Sequence, residues 1–175
     1  MSILIFFVAT LAFAALTWRY AVATGRSQGF FRFAAFEGMA AIVLVDYDAW
    51  FADVGSPTQI VSFAALAVSI YLALAGFLAL KRLGRPQGHF EYTTELVTDG
   101  VFRFIRHPMY ASLLFFAVGA YLKQPLSPPV ATIFVITVAA IFLTAKAEEK
   151  ELVAAFGPRY LDYMKKTARF IPFVL

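Results

Sequence analysis

The sequence predicts an all-α integral membrane protein that crosses the membrane with five helices. Of the 175 residues, 61% are hydrophobic and only 15% are charged, and the mean hydropathy is +0.75. A soluble domain of this size has about a quarter of its residues charged. The apolar residues also gather into five segments, none of which alternates polar and apolar positions as a membrane β-strand does. Helices are therefore the predicted spanning elements.

The first three apolar segments occupy residues 2–18, 33–51 and 59–80. No basic residue precedes the first segment and its charges follow it, so we expect a span rather than a signal peptide. The second segment carries Asp46 and Asp48 near its far end, where their position predicts a solvated cap. The third segment is the most uniformly apolar.

The last two segments, residues 109–122 and 130–145, are separated by a short turn rich in proline. So short a connection predicts a helical hairpin. Pro108 is well placed as the first residue of the fourth helix. The fifth helix is expected to continue beyond the apolar segment to Phe156, where a Gly-Pro pair ends it.

The basic residues predict the orientation of the chain. If the N-terminus lies outside, 14 of the 15 Lys and Arg residues fall on the inner side and only Lys123 lies outside. The positive-inside rule then places the C-terminus in the cytosol. The charge of +4 is explained by topology, so no nucleic-acid partner is predicted. A single domain over residues 1–175 is expected, because no long polar stretch could form a second.

Composition also excludes several kinds of site. The chain has no cysteine, which rules out disulfides, thiolate metal sites and cysteine nucleophiles. With only two histidines, a metal site is not predicted.

Polar side chains gather at the inner ends of the last two helices. Arg106 and His107 stand directly before an apolar helix, and Tyr110 follows within its first turn. Membrane anchoring needs at most one of these groups. The pair Glu148 and Glu149 lies where the fifth helix leaves the membrane.

Simpler interpretations exist for the segment that follows the fifth apolar stretch. The glutamate pair is typical of a solvated helix end, in which Glu149 would pair with Lys146 or Lys150. Tyr160 and Tyr163 are typical of aromatic residues at the membrane interface.

Taken together, these stretches resemble a known family. The run LVTDGVFRFIRHPMY (residues 96–110), then EEKELVAAFGPRYLDYMKKT and RFIP, resembles the isoprenylcysteine carboxyl methyltransferases, to which the phospholipid N-methyltransferases are related. The resemblance is strongest over about residues 81–173. It implies methyl transfer from S-adenosylmethionine to a lipophilic acceptor, with a cofactor pocket that faces the cytosol.

The resemblance also implies the residues of that pocket. Carboxylate and aromatic groups suit the cationic parts of the cofactor. The implied cofactor contacts are Gln87, Thr94, Glu95, Leu96, Val97, Phe102, His107, Pro108, Met109, Tyr110 and Glu148. The implied substrate contacts are Arg106 and Thr144.

Three positions depart from the family pattern. Phe102 stands where the family often has tyrosine, and Ser112 replaces a common glycine. Thr144 stands four residues before Glu148, where isoprenylcysteine methyltransferases tend to carry an arginine that would steady the carboxylate of the substrate. This last departure weakens a prenylcysteine assignment and leaves the expected use of the cofactor intact.

The acceptor therefore stays open among a prenylcysteine carboxylate, a phospholipid amine and a thiol. An amine acceptor would need a general base, for which Glu91, Glu95 and Glu149 are candidates. No catalytic residue is singled out. The alternative from another class is a membrane protein that binds lipid without catalysis. Either interpretation makes membrane lipids, or a lipophilic small molecule, the partners of this chain.

Overall fold

The computed structural model of the chain describes residues 2–24, 28–85 and 94–172. Gln87 and Glu91, singled out above, lie outside these residues. The described parts are helical, with one isolated parallel bridge between Ile105 and Ala168 and no strand, so the predicted all-α class is confirmed. The helices are α1 (Ser2–Thr24), α2 (Gln28–Val45), α3 (Pro57–Leu83), α4 (Pro108–Tyr121), α5 (Pro128–Phe156) and α6 (Pro158–Lys166), with single 3₁₀ turns at Tyr47–Ala49 and Gly100–Arg103.

The helix ends agree with the sequence patterns in most places. α4 begins at Pro108 and α5 continues to Phe156, as predicted. The joint between α5 and α6 is Gly157, whose φ of +58° is a conformation that glycine adopts without a steric penalty. The second segment was placed too far along the chain, because α2 ends at Val45 and the polar residues after it form a 3₁₀ turn.

Two helices are long and apolar enough to cross a membrane, by length and composition: α3 and α5. Shorter apolar helical stretches occur at Phe6–Ala15 and in α4. The described part of the chain thus has the helices that are typical of a membrane protein. The count of five spans and the hairpin stay predictions.

The chain divides into two compact units. The first comprises Met1–Leu66 and Leu114–Glu148, and the second comprises Ala67–Leu113 and Glu149–Leu175. The expectation of one domain over residues 1–175 stays a prediction.

The first unit is held by close helix packing. A Cβ added at Gly38 of α2 would lie 2.0 Å from Thr137 Oγ1 of α5, so only glycine permits this approach. Between α1 and α2, Thr10 Oγ1 donates a hydrogen bond to Glu37 Oε2 at 3.0 Å. Small residues and a few buried polar contacts therefore bring these helices together.

A polar cluster lies near the end of α2 in the same unit. Lys123 is buried, donates from Nζ to Gln59 Oε1 at 2.8 Å and lies 3.5 Å from the centre of the Phe63 ring. Burial lowers the pKa of Lys123. Asp48 is exposed but Asp46 is only 1% exposed. The expectation of a solvated cap was therefore wrong for Asp46, because its side chain is buried although its neighbours Tyr47 and Asp48 are exposed.

Candidate active site

Two segments far apart in sequence pair at the centre of the second unit. The backbone N–H groups of Arg106 and His107 donate to the carbonyls of Ala168 at 2.8 Å and Arg169 at 3.1 Å. In return, the N–H of Ala168 donates to the carbonyl of Phe104 at 3.1 Å. The R-H-P element is thus held as a short extended segment against the residues that follow α6.

The carboxylate of Glu149 binds two arginine side chains in this unit. It accepts hydrogen bonds at Oε1 from Arg106 Nε at 3.0 Å and from Arg169 Nε at 3.0 Å, and at Oε2 from Arg169 Nη2 at 2.8 Å. His107 Nε2 lies 3.5 Å from Oε1. The side chain of Glu149 is only 7% exposed. A buried carboxylate is stable in such a place only when it is paired in this way.

Each of the two arginines bonded to Glu149 is held in its own way. The bond to Glu149 raises the pKa of Arg169, which keeps that guanidinium fully charged. Arg106 also donates from Nη1 to the carbonyl of Met164 at 3.0 Å and contacts the carbonyl of Thr167. Met164 lies in the last turn of α6 and Thr167 is its C-cap residue, a region where carbonyl acceptors lack partners within the helix. Arg106, an implied substrate contact, is thus engaged in holding α6.

An aromatic wall stands beside this cluster. The rings of His107 and Tyr110 are 5.6 Å apart, and Phe170 lies 6.4 Å from the imidazole on another side. His107 is 4% exposed, and no group among the described residues meets hydrogen-bond geometry with its Nε2. This wall offers π-faces, which suit a partly cationic ligand.

The tyrosines of α6 are interior residues. Tyr163 donates from its hydroxyl to the carbonyl of Phe102 at 2.6 Å, and its ring lies 5.8 Å from that of Tyr160. Burial raises the pKa of Tyr163 far above its usual range. The interpretation of both tyrosines as interfacial aromatics was wrong. The hydroxyl of Tyr163 ties α6 to the 3₁₀ turn before the R-H-P element, because a buried hydroxyl needs a partner.

The loop before this turn carries four of the implied cofactor contacts. Thr94 and Glu95 are exposed, and their N–H groups donate to the carbonyl of Gly84 at 3.0 and 3.3 Å. Leu96 is half-buried and Val97 is buried. The carbonyl of Gly84 thus anchors the loop to the end of α3.

The start of α4 is fixed by close packing. A Cβ at Gly76 of α3 would lie 3.2 Å from Pro108 Cγ and 3.1 Å from Met109 Cγ. Ser112 donates back to the carbonyl of Met109 at 2.6 Å. The serine that replaces the family's common glycine is therefore accommodated within its own helix.

The two remaining implied contacts, Thr144 and Glu148, belong to the first unit. Thr144 is 1% exposed and donates to the carbonyl of Ala140 at 2.8 Å. Glu148 is half-buried.

The residue that sequence reasoning missed is Arg169. Glu149 was expected to pair with Lys146 or Lys150, but its partners are Arg106 and Arg169. The signal was present in the RFIP motif, whose first residue is that arginine. Nothing in the sequence pattern alone paired it with a carboxylate twenty positions earlier.

Fold and composition place the chain among helical membrane proteins. Comparison with known sequences gives the family. The family model described as phospholipid methyltransferase matches residues 57–159, and the chain belongs to this family. The resemblance to the isoprenylcysteine carboxyl methyltransferases is thereby confirmed.

Several relatives of this chain are named as isoprenylcysteine O-methyltransferases. The chain is 28% identical over 127 residues to "Protein-S-isoprenylcysteine O-methyltransferase B" of Arabidopsis thaliana, covering 71% of this chain and 61% of the relative. It is 31% identical over 121 residues to the probable enzyme of that name from Oryza sativa subsp. indica, covering 65% and 62%. It is 32% identical over 83 residues to the Mus musculus protein, covering 47% and 29%. The chain thus spans less than two thirds of the length of these relatives.

Proposed function

We propose that this chain transfers a methyl group from S-adenosylmethionine to a lipophilic acceptor at the cytosolic face of a membrane. The observation that carries the proposal is the buried R-H-P element, held by Glu149 and flanked by an aromatic wall, in a chain of the phospholipid methyltransferase family. The relatives named as isoprenylcysteine O-methyltransferases support the same reaction class.

The proposed setting is a five-span chain with its N-terminus outside and its C-terminus in the cytosol. The last two spans form the proposed hairpin, and the cofactor pocket faces the cytosol. The basic residues support this orientation, because 14 of the 15 lie on the proposed inner side.

The proposed cofactor contacts combine aromatic and acidic groups. S-adenosylmethionine supplies a methyl group activated by the positive charge on its sulfur. Tyr110 and Phe102 would offer π-faces to cationic parts of the cofactor, and the buried Nε2 of His107 would hold a polar group. The remaining proposed contacts are Gln87, Thr94, Glu95, Leu96, Val97, Pro108 and Met109.

Glu148 is the proposed acidic contact. Glu149 is occupied by two arginines, which supports the other member of the pair in this role. Successive helix positions differ by about 100° around the axis, so the two carboxylates of the pair are suited to separate tasks.

The acceptor is proposed to lack a carboxylate. The side chain at Thr144 is uncharged, buried and bonded within its own helix, so it offers no counter-charge to a prenylcysteine. Glu149 is poorly suited as a general base, because two guanidinium groups stabilise its ionised form. Of the candidate bases for an amine acceptor, Glu95 is exposed and Glu91 lies outside the described residues.

Calorimetry with S-adenosylhomocysteine tests the cofactor assignment. The detergent-purified chain should bind it, and Glu148→Ala should weaken binding by about 10- to 100-fold, since a charged hydrogen bond contributes roughly 1.5–3 kcal/mol. Asp162→Asn is the matched control, because this carboxylate is exposed and pairs with Lys165 on α6.

The outcome separates the two classes of function. Absence of binding by the folded wild-type chain would favour a lipid-binding protein without catalysis. Unchanged affinity in folded Glu148→Ala would remove this residue from the pocket and leave the reaction class standing.

A further inference from the structure

A basic cleft of about 440 Å³ opens on the second unit. Among the described residues that line it, half are basic and none is acidic. The basic lining residues are Arg103, Arg106, Lys165, Lys166 and Arg169. Apart from Arg106, none of the implied cofactor and substrate contacts in the described part of the chain lines the cleft.

The positive charge of the cleft is only partly neutralised by nearby carboxylates. Glu149 offsets one of the two guanidinium groups that it binds, and Asp162 pairs with Lys165 at 2.8 Å. The hydrogen bond from Lys165 holds the pKa of Asp162 below its usual range, so this carboxylate stays ionised. Arg103 and Lys166 are both exposed and add two further positive charges.

The sign of this charge excludes the sulfonium of the cofactor as the occupant. A cation would be repelled by a cleft whose described lining residues include five basic side chains and no carboxylate. An anion with several oxygen atoms is the ligand that converging arginine and lysine side chains suit.

The position and lining of the cleft indicate where the anion comes from. Arg103 stands five residues before Pro108, the first residue of the apolar α4, so the cleft adjoins the point where this helix would enter the membrane. Phe104 lines the cleft and is 53% exposed. An apolar ring beside basic groups fits an amphipathic ligand better than a free ion.

We propose that this basic cleft binds the phosphate of an anionic lipid headgroup. Juxtamembrane basic residues attract such headgroups through charge, and the attraction falls off with added salt. The cleft shares Arg106 with the implied substrate contacts, but the proposed binding of a headgroup does not depend on methyl transfer. It would hold the second unit against a membrane leaflet that carries anionic lipid.

The test measures binding of short-chain lipids to the full chain purified in a zwitterionic detergent. Dihexanoyl phosphatidic acid is the probe, and dihexanoyl phosphatidylcholine and inorganic phosphate are the comparison ligands. The double variant Arg103→Gln/Lys166→Gln removes two exposed charges of the cleft. The matched control is Lys146→Gln/Lys150→Gln, which removes two exposed charges of α5 that do not line it.

We expect phosphatidic acid to bind, and the cleft variant to lose affinity by roughly 30-fold, since each basic residue contributes about fivefold. The control variant should change affinity by less than about twofold, and salt should weaken the wild-type interaction. Equal loss in both variants, or none in the cleft variant, would overturn the site. If phosphatidylcholine bound as tightly as phosphatidic acid, the charge selectivity of the cleft would be overturned. If inorganic phosphate bound as tightly as phosphatidic acid, a lipid would be overturned as the source of the anion.

Discussion

Replacing Glu149 by glutamine tests whether its ion pairs with two arginines stabilise the second unit. Glutamine keeps the size of the side chain but removes the charge, and its amide NH₂ would face an arginine donor. Breaking a buried ion pair by removing one partner costs about 3–5 kcal/mol. Arg169 keeps a side-chain exposure of 20% and can be partly hydrated, and Arg106 retains its carbonyl partners. These two features place the expected loss at the lower end, about 3 kcal/mol.

The assay is thermal unfolding of the detergent-purified chain, followed by the fraction that remains monodisperse after heating. For a chain of this size, 1 kcal/mol corresponds to about 2–4 °C, so Glu149→Gln should lower Tm by roughly 6–12 °C. Glu148→Gln is the neighbouring control and should change Tm much less, because its side chain is only half-buried. Equal shifts in the two variants, or none in Glu149→Gln, would show that the arginine cluster does not organise this unit.

Three further changes probe packing, the α6 contact and the acceptor. Gly38→Ala should lower Tm, because the added Cβ meets Thr137 Oγ1. Adding Thr137→Ala to this variant should partly restore Tm. An unchanged Tm in Gly38→Ala would show that α2 and α5 separate freely. Tyr163→Phe should cost about 1–3 kcal/mol in thermal unfolding, because it leaves the buried carbonyl of Phe102 unpaired, and a neutral result would remove this hydrogen bond from the account. Thr144→Arg should raise kcat/KM for a farnesylated cysteine carboxylate while leaving cofactor affinity unchanged. Strong wild-type turnover that the arginine does not alter would show that the head group is held elsewhere.

The orientation of the chain has its own test. A cysteine introduced at Ser27 or Gly88 should be protected from an impermeant thiol reagent in intact cells, whereas one at Gly55 should be labelled. The native chain has no cysteine, so the background is clean. Labelling at Gly88 without labelling at Gly55 would reverse the topology.

Local chemistry explains which parts of the fold could be predicted from the sequence. Pro108 and the Gly-Pro pair after Phe156 set helix ends through their own backbone preferences, and both predictions are confirmed. The end of α2 was misplaced because an apolar run does not reveal that Asp46 turns inward. Such a burial depends on how neighbouring helices pack, which periodicity does not encode.

In the candidate site, too, local motifs could be predicted from the sequence and long-range contacts could not. The R-H-P element and the glutamate pair were recognisable as motifs, since their residue types and spacing are local. The partner of Glu149 was not, because Arg106 and Arg169 lie 43 and 20 positions away and are brought together only by the backbone pairing around Ala168. The basic cleft was likewise hidden, because its residues come from two separated segments.

Methyl transfer by the purified chain can be measured directly. The purified chain, incubated with S-adenosylmethionine carrying a labelled methyl group and a total membrane-lipid extract, should label a lipophilic product that mass spectrometry identifies. Glu148→Ala should lower this labelling at subsaturating cofactor, and Asp162→Asn should not. A folded chain that binds S-adenosylhomocysteine yet labels no lipid, prenylcysteine analogue or thiol would contradict the account.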